Sequence, residues 1–153
     1  MLVGGVLVQN STNDEFRLFI QRAGKSMRHI PWHAVKGNHE NRKWSTFSHW
    51  FDNAFADNLD EDCHSFIVGD IQFIGLNTEG YQESQFPKDW LSKTLQQPAK
   101  WRVAFMKKQP FFKYKNGGGS REFLYPIIEE ASIDIVFSSY GRQENPEHKS
   151  GVW

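Results

Sequence analysis

Trp32-His33-Ala34-Val35-Lys36-Gly37-Asn38-His39-Glu40 is the stretch on which the fold turns. Ile30-Pro31 interrupts whatever precedes it, because proline lacks the N–H that a helix interior needs. Trp32 to Val35 then predicts a short strand, and Gly37 to Glu40 a loop at its end. Upstream, Leu2 to Val8 is apolar and β-prone but interrupted by Gly4-Gly5. The polar cluster Asn10 to Asp14 follows, with Ser11 and Thr12 as helix-start candidates. Phe16, Phe19, Ile20, Ala23 and Met27 recur at helical spacing, which predicts a helix to about Gly24 or slightly beyond.

Downstream, Trp44, Phe47, Phe51 and Phe55 share one helical face. Ser65 to Val68 and Ile71 to Leu76 flank Gly69-Asp70, a two-residue hairpin signal. Lys88 to Gln97 predicts a helix with Trp90, Leu91, Thr94 and Leu95 facing inward. Val103 to Met106 predicts a strand, and Tyr114 to Ser120, with its run of glycines, a mobile surface loop. Phe123, Leu124, Ile127 and Ile128 make a further helix face, and Ile133 to Ser138 predicts a final buried strand. Strands alternating with helices predict an α/β layered fold with one antiparallel hairpin, in a single domain over residues 1–153.

Bulk properties bound the function classes. The chain has 153 residues, including 13 Phe and 6 Trp, which suits a packed core and not a disordered segment. Eighteen basic residues balance 18 acidic ones, so no global field draws the chain to nucleic acid or to a membrane surface. Apolar runs such as Phe66 to Val68 are far too short to span a bilayer, and the start lacks the pattern of a signal peptide. Cys63 is the single cysteine, which excludes an internal disulfide and leaves the compartment undecided.

The strand running into Gly37-Asn38-His39-Glu40 resembles the third signature block of the calcineurin-like metallophosphoesterases, the superfamily that includes the purple acid phosphatases. The segments around it look like their family counterparts, in the family's order: Phe73 to Glu79, then Asp89-Trp90-Leu91, then Trp101 to Phe105, then Ile133 to Phe137. The resemblance covers nearly the whole chain. It implies two packed mixed β-sheets flanked by helices, a four-layer sandwich that is incomplete here. It also implies two metal ions, which hold nucleophile and leaving oxygens in line and offset the charge on phosphorus. On the same resemblance, Asn38 corresponds to a ligand of one metal, and His39 to a proton donor or charge stabiliser near the leaving group.

The sequence departs from the family pattern at the other blocks. Residues 1–10 carry no Asp-x-His, as though the chain opened downstream of that block. Gly4-Gly5 stands where the family has Gly-Asp, so Gly5 replaces the carboxylate that bridges the metals. Lys107-Lys108-Gln109-Pro110 follows the strand that in the family ends in a histidine before a proline. Ser139-Tyr140-Gly141-Arg142 places Tyr140 and Arg142 where two histidines belong. Of the ligand set only Asn38 remains, and lysine or arginine nearby repels a divalent cation. The expectation is loss of the ancestral dimetal site and no metal cofactor. His29, His33, His49, His64 and His148 lack ligand spacing and read as surface or core residues.

Two function classes follow. The first is a catalytically inactive phosphoesterase-like domain acting as a binding or structural assembly subunit, with His39 a vestige that braces its loop. In that reading Lys107 or Lys108, Arg142 and His39 converge on the former metal pocket, where fixed cations hold phosphate or another anion. The stretch containing Arg102, Lys107, Lys108, Lys113, Lys115 and Arg121, without an acidic residue, motivates it. Glu40 reads as a solvated or loop-bracing carboxylate. The chain stops at Gly151-Val152-Trp153, where the family would enter another strand. Both sheets are then expected to be incomplete, their edges covered by a protein partner or a second copy, unless the sequence is a fragment of a longer reading frame. The second class is an active metal-dependent phosphoester hydrolase whose missing ligands come from another chain or segment. Nucleic-acid binding is disfavoured by the charge balance, and a membrane role by the short apolar runs.

Overall fold

The computed structural model describes residues 1–27, 29–40, 63–79, 86–110 and 124–139. The predicted helix face of Trp44, Phe47, Phe51 and Phe55, the Tyr114 to Ser120 loop, Phe123, Tyr140, Arg142, His49 and His148 lie outside the described residues. The chain runs β1 (Leu2–Val3), α1 (Asn13–Met27), β2 (His33–Ala34), β3 (Cys63–Val68), β4 (Ile71–Leu76), α2 (Lys88–Thr94), β5 (Trp101–Met106), α3 (Leu124–Glu130), β6 (Ile135–Ser138). Strands β1 and β2 pair in parallel as one sheet. The second sheet has the order β3-β4-β5-β6, antiparallel at the hairpin and parallel thereafter. This is the mixed two-sheet α/β architecture expected from the alternation of patterns.

Local chemistry accounts for where the elements begin and end. Thr12 Oγ1 accepts from the Glu15 N–H at 3.3 Å while Glu15 Oε2 accepts from the Thr12 N–H at 3.1 Å. This reciprocal capping box starts α1 by satisfying donors that have no partner within the helix. Phe16 on that helix is buried against Val8 and Ala34, with Val3, Leu7 and Phe19 packed around them. The β3–β4 hairpin turns at Gly69, whose φ of +59° is the left-handed conformation that glycine adopts without steric cost.

The main core lies between one face of the four-stranded sheet and the helices α2 and α3. Cys63, Ile74, Leu76, Ala104 and Met106 meet Leu91, Leu124, Ile128 and Ile133 there. Gln72 is fully buried on the same face. Its amide nitrogen donates to Thr94 O at 2.8 Å, and its oxygen accepts from Arg102 Nε at 3.3 Å. Arg102 also donates to Leu95 O at 3.1 Å. Carbonyls at the carboxyl end of α2 are thereby satisfied by a buried amide and a guanidinium, which also suits the negative end of the helix dipole.

One element departs from expectation. The final strand was predicted as buried, yet Ile135 and Phe137 are exposed, Phe137 at 57%. They occupy an edge strand, on the face opposite the helices, in register with Val103 and Phe105. Burial at this end belongs to Ile133, two residues before the strand begins. The β1–β2 sheet covers the other side of the same face. His33 on β2 stacks on Phe66 of β3 with ring centroids 3.6 Å apart, and lies 5.8 Å from the His64 ring.

Candidate functional site

Ligand sites in sheets of this kind form outside the carboxyl ends of parallel strands, because there the chain turns away and leaves a crevice. Here the segments after β1, β2, β4, β5 and β6 meet at that end. The Ser139 hydroxyl donates to Gly4 O, joining the end of β6 to the end of β1. The Lys107 ammonium donates to Ser139 O at 3.3 Å, and the Lys108 N–H to Thr78 Oγ1 at 2.8 Å.

Glu40 is fully buried at the centre of the convergence. Its Oε1 accepts from the N–H groups of Leu7 at 2.6 Å and Val8 at 3.1 Å. Its Oε2 accepts from those of Val6 and Gly37, both at 2.8 Å. Positive φ angles at Gly5 (+88°) and Val6 (+61°) turn successive N–H groups inward, forming a concave nest of donors around one carboxylate. Val6 is β-branched, so its conformation is strained and persists because the carboxylate holds it. Of the two roles the sequence allows Glu40, solvated or loop-bracing, the structure shows the second. Ser11 completes the brace, its hydroxyl donating to His39 O at 2.7 Å.

Gly5 packs directly on this loop. A Cβ at Gly5 would fall 2.6 Å from Gly37 N and 2.7 Å from Gly37 Cα, backbone atoms that cannot give way cheaply. Gly5 is therefore closed to any side chain in this conformation. Asn38 is exposed, and His39 Nδ1 lies 2.7 Å from Gln9 O, so its ring is oriented by the β1–α1 loop. Among the described residues no group of three or more His, Cys, Asp or Glu could hold a metal ion. Among the described residues the positions set against the family's ligand blocks offer Gly5, the exposed amide of Asn38 and two lysines, beside the single imidazole of His39, which does not fit a pair of divalent cations.

The lysines have acidic company that sequence reasoning missed. Lys108 Nζ lies 3.2 Å from Glu79 Oε2, and the Glu79 side chain is only 6% exposed. Glu79 Oε1 is buried with no hydrogen-bond partner among the described residues. Burial raises the Glu79 pKa above the usual carboxylate value, and repulsion from Glu40 adds to the rise; attraction to Lys108 and Lys107 opposes it. Lys107 is itself buried, at 6% exposure. Lys36, on the strand leading to Gly37, is buried more deeply still. Asn77-Thr78-Glu79 follows β4 and Lys107-Lys108 follows β5, and the parallel pairing of these two strands brings Glu79 to Lys108. Arg102, counted with the same basic stretch, sits at the opposite end of β5 and serves α2.

The family model for calcineurin-like phosphoesterases matches residues 2–139. The chain belongs to that family. Comparison with curated proteins returned no match.

Proposed function

We propose that this calcineurin-like phosphoesterase domain does not hydrolyse phosphoesters and acts as a binding or assembly subunit, with its strand-end crevice holding an anion in place of metals. The observation that carries the reading is the contact of Gly5 with Gly37. A bridging carboxylate cannot be accommodated there without moving the loop that Glu40 holds. Lys107 and Lys108 support the anion half: two ammonium groups stand at the end of β5, where the family supplies an imidazole. Arg142 and His39 are the further residues assigned to this anion site. Fixed cations of this kind suit a phosphate or a similar oxyanion.

The assembly half rests on exposed apolar edges. Among the described residues β3 and β6 flank the larger sheet, and Ile67, Val68, Ile135 and Phe137 on them are exposed. Unpaired main-chain groups beside apolar side chains favour pairing with a further strand, and a second copy of the chain is the partner we assign. Light scattering is expected to show a dimer or larger species; a monodisperse monomer at high concentration contradicts this half. The catalytic half is tested by a generic phosphoester assay with added manganese or zinc. The expected result is no turnover above the metal-only control. Turnover abolished by His39→Ala overturns the proposal in favour of an active hydrolase completed by ligands from elsewhere.

A further inference from the structure

Among the described residues β3 and β6 flank the larger sheet, and they offer different edges. On β3 the exposed apolar residues, Ile67 and Val68, are consecutive and so point to opposite faces. His33 of the β1–β2 sheet already stacks on Phe66 of that strand. On β6 the exposed apolar residues are Ile135 and Phe137, two positions apart on one face, 37% and 57% exposed. Ile135-Val136-Phe137-Ser138 contains neither a charge nor a proline, the usual guards of an open edge. Asp134, just before the strand, has its carboxylate turned inward, accepting from the Arg102 N–H at 2.8 Å. The main chain of β6 also has a free side. Ser139 N–H donates to Met106 O at 3.3 Å, and in a parallel ladder alternate residues turn their N–H and C=O toward the neighbouring strand. Ile135 and Phe137 therefore bond toward β5, while Val136 and Ser138 turn their groups to the open edge.

We infer that β6 pairs antiparallel with β6 of a second copy of the chain, about a two-fold axis at Val136. In that register Val136 faces Val136 of the second copy, and the two exchange both N–H···O bonds from their open sides. Ile135 then stands opposite Phe137 of the second copy, and Phe137 opposite Ile135, at the closer spacing of a pair without hydrogen bonds. The exposed side chains meet as two apolar pairs on one face, of the aromatic and β-branched kind that stabilises sheets. A two-fold interface uses the same surface twice, and two apolar residues placed symmetrically about Val136 are self-complementary in that sense. An axis at Phe137 instead sets Ile135 opposite Ser139, a polar residue whose hydroxyl is already given to Gly4 O. The larger sheet becomes continuous through both copies. A strand of four residues buries an area at the low end of specific interfaces, so the association is weak and depends on concentration. This inference rests on the assembly reading above and assigns it one edge and one register.

Sedimentation velocity of the full chain over a concentration series is expected to show a monomer–dimer equilibrium. Phe137→Lys places a charge on the exposed edge and is expected to weaken the dimer by roughly tenfold or more, with an unchanged circular dichroism spectrum. Val68→Lys, on β3, is expected to leave the equilibrium as in wild type. Disulfide trapping reads the register. Oxidation of a mixture of Ile135→Cys and Phe137→Cys chains is expected to give a linked dimer that neither variant gives alone, because directly opposed residues bring their Cβ atoms within disulfide reach. Cys63 is buried and takes no part. Linkage of Phe137→Cys chains alone moves the axis to Phe137 and overturns the register. A dimer that Phe137→Lys leaves intact overturns β6 as the edge and leaves the assembly reading standing. A monomer at every concentration overturns both.

Discussion

Glu40 does at residue scale what a ligand would otherwise have to do at the strand ends: it gathers donors. Four N–H groups from two separate loops converge on its carboxylate, and charge-assisted hydrogen bonds of this kind are about twice as strong as neutral ones. Replacing it by glutamine keeps the shape but turns one acceptor into a donor that faces N–H groups. Glu40→Gln is expected to lower unfolding stability by roughly 3 kcal/mol, measured by denaturant unfolding, because buried donors lose their acceptor and strained Val6 loses its restraint. Unchanged stability would show that the N–H groups find water instead. Gly5 and Gly37 belong to the same unit. Each lacks a Cβ because the other loop's backbone, or the Glu40 carboxylate, fills the space. The absence of side chains at Gly5 and Gly37 and the tight packing of the two loops are thus one structural fact.

At the scale of elements, the contact between the two sheets is made partly of imidazoles. His33 and His64 come from different sheets, and each has a buried ring nitrogen without a hydrogen-bond partner among the described residues. Burial lowers both pKa values. That of His64 falls from 6.5 to about 4, with a smaller contribution from His33; for His33 the N-terminal ammonium adds to burial. The folded state therefore refuses protons that the unfolded chain accepts between pH 6.5 and about 4. Stability from neutral His64 is fully present above the upper value and lost as pH falls toward the lower one. The loss amounts to roughly 3 kcal/mol at full extent. Glu79 acts in the opposite direction, because its raised pKa makes the folded state take up protons first. The difference between wild type and His64→Leu isolates the histidine. The variant is expected to lose much less stability than wild type between pH 7 and about pH 4.5 in urea melts. Parallel pH profiles for the two proteins would contradict a buried neutral His64.

On the scale of the whole molecule, much of the architecture was legible because it rests on local signals. The Gly69-Asp70 turn, the Thr12 cap and the helical spacing of Leu91 and Thr94 each declare an element without reference to the rest of the chain. The family assignment was legible for a similar reason, since Gly37 to Glu40 is a loop whose residues are needed in sequence. What was not legible depends on contacts between distant segments. Burial of the last strand was misjudged because an apolar run cannot reveal that its strand lies at a sheet edge. Glu79 was passed over because its partner Lys108 lies 29 positions away, and only the parallel pairing of β4 with β5 brings the two together. Gln72 and Arg102 look like surface residues until α2 is placed over them. Arg102 and Lys107 belong to one basic stretch of sequence, and the strand places them roughly 16 Å apart along its length.

On the reading proposed above, Gly5 and the Glu40-held loop close the strand-end crevice of this family member to a metal pair, and lysines furnish it instead. The most direct measurement is metal content by mass spectrometry after equilibrium dialysis against manganese or zinc, followed by desalting. The expected result is no stoichiometric metal in wild-type protein, with retention unaltered in His39→Ala. One or two equivalents of tightly held metal per chain, lost on His39→Ala, would contradict it.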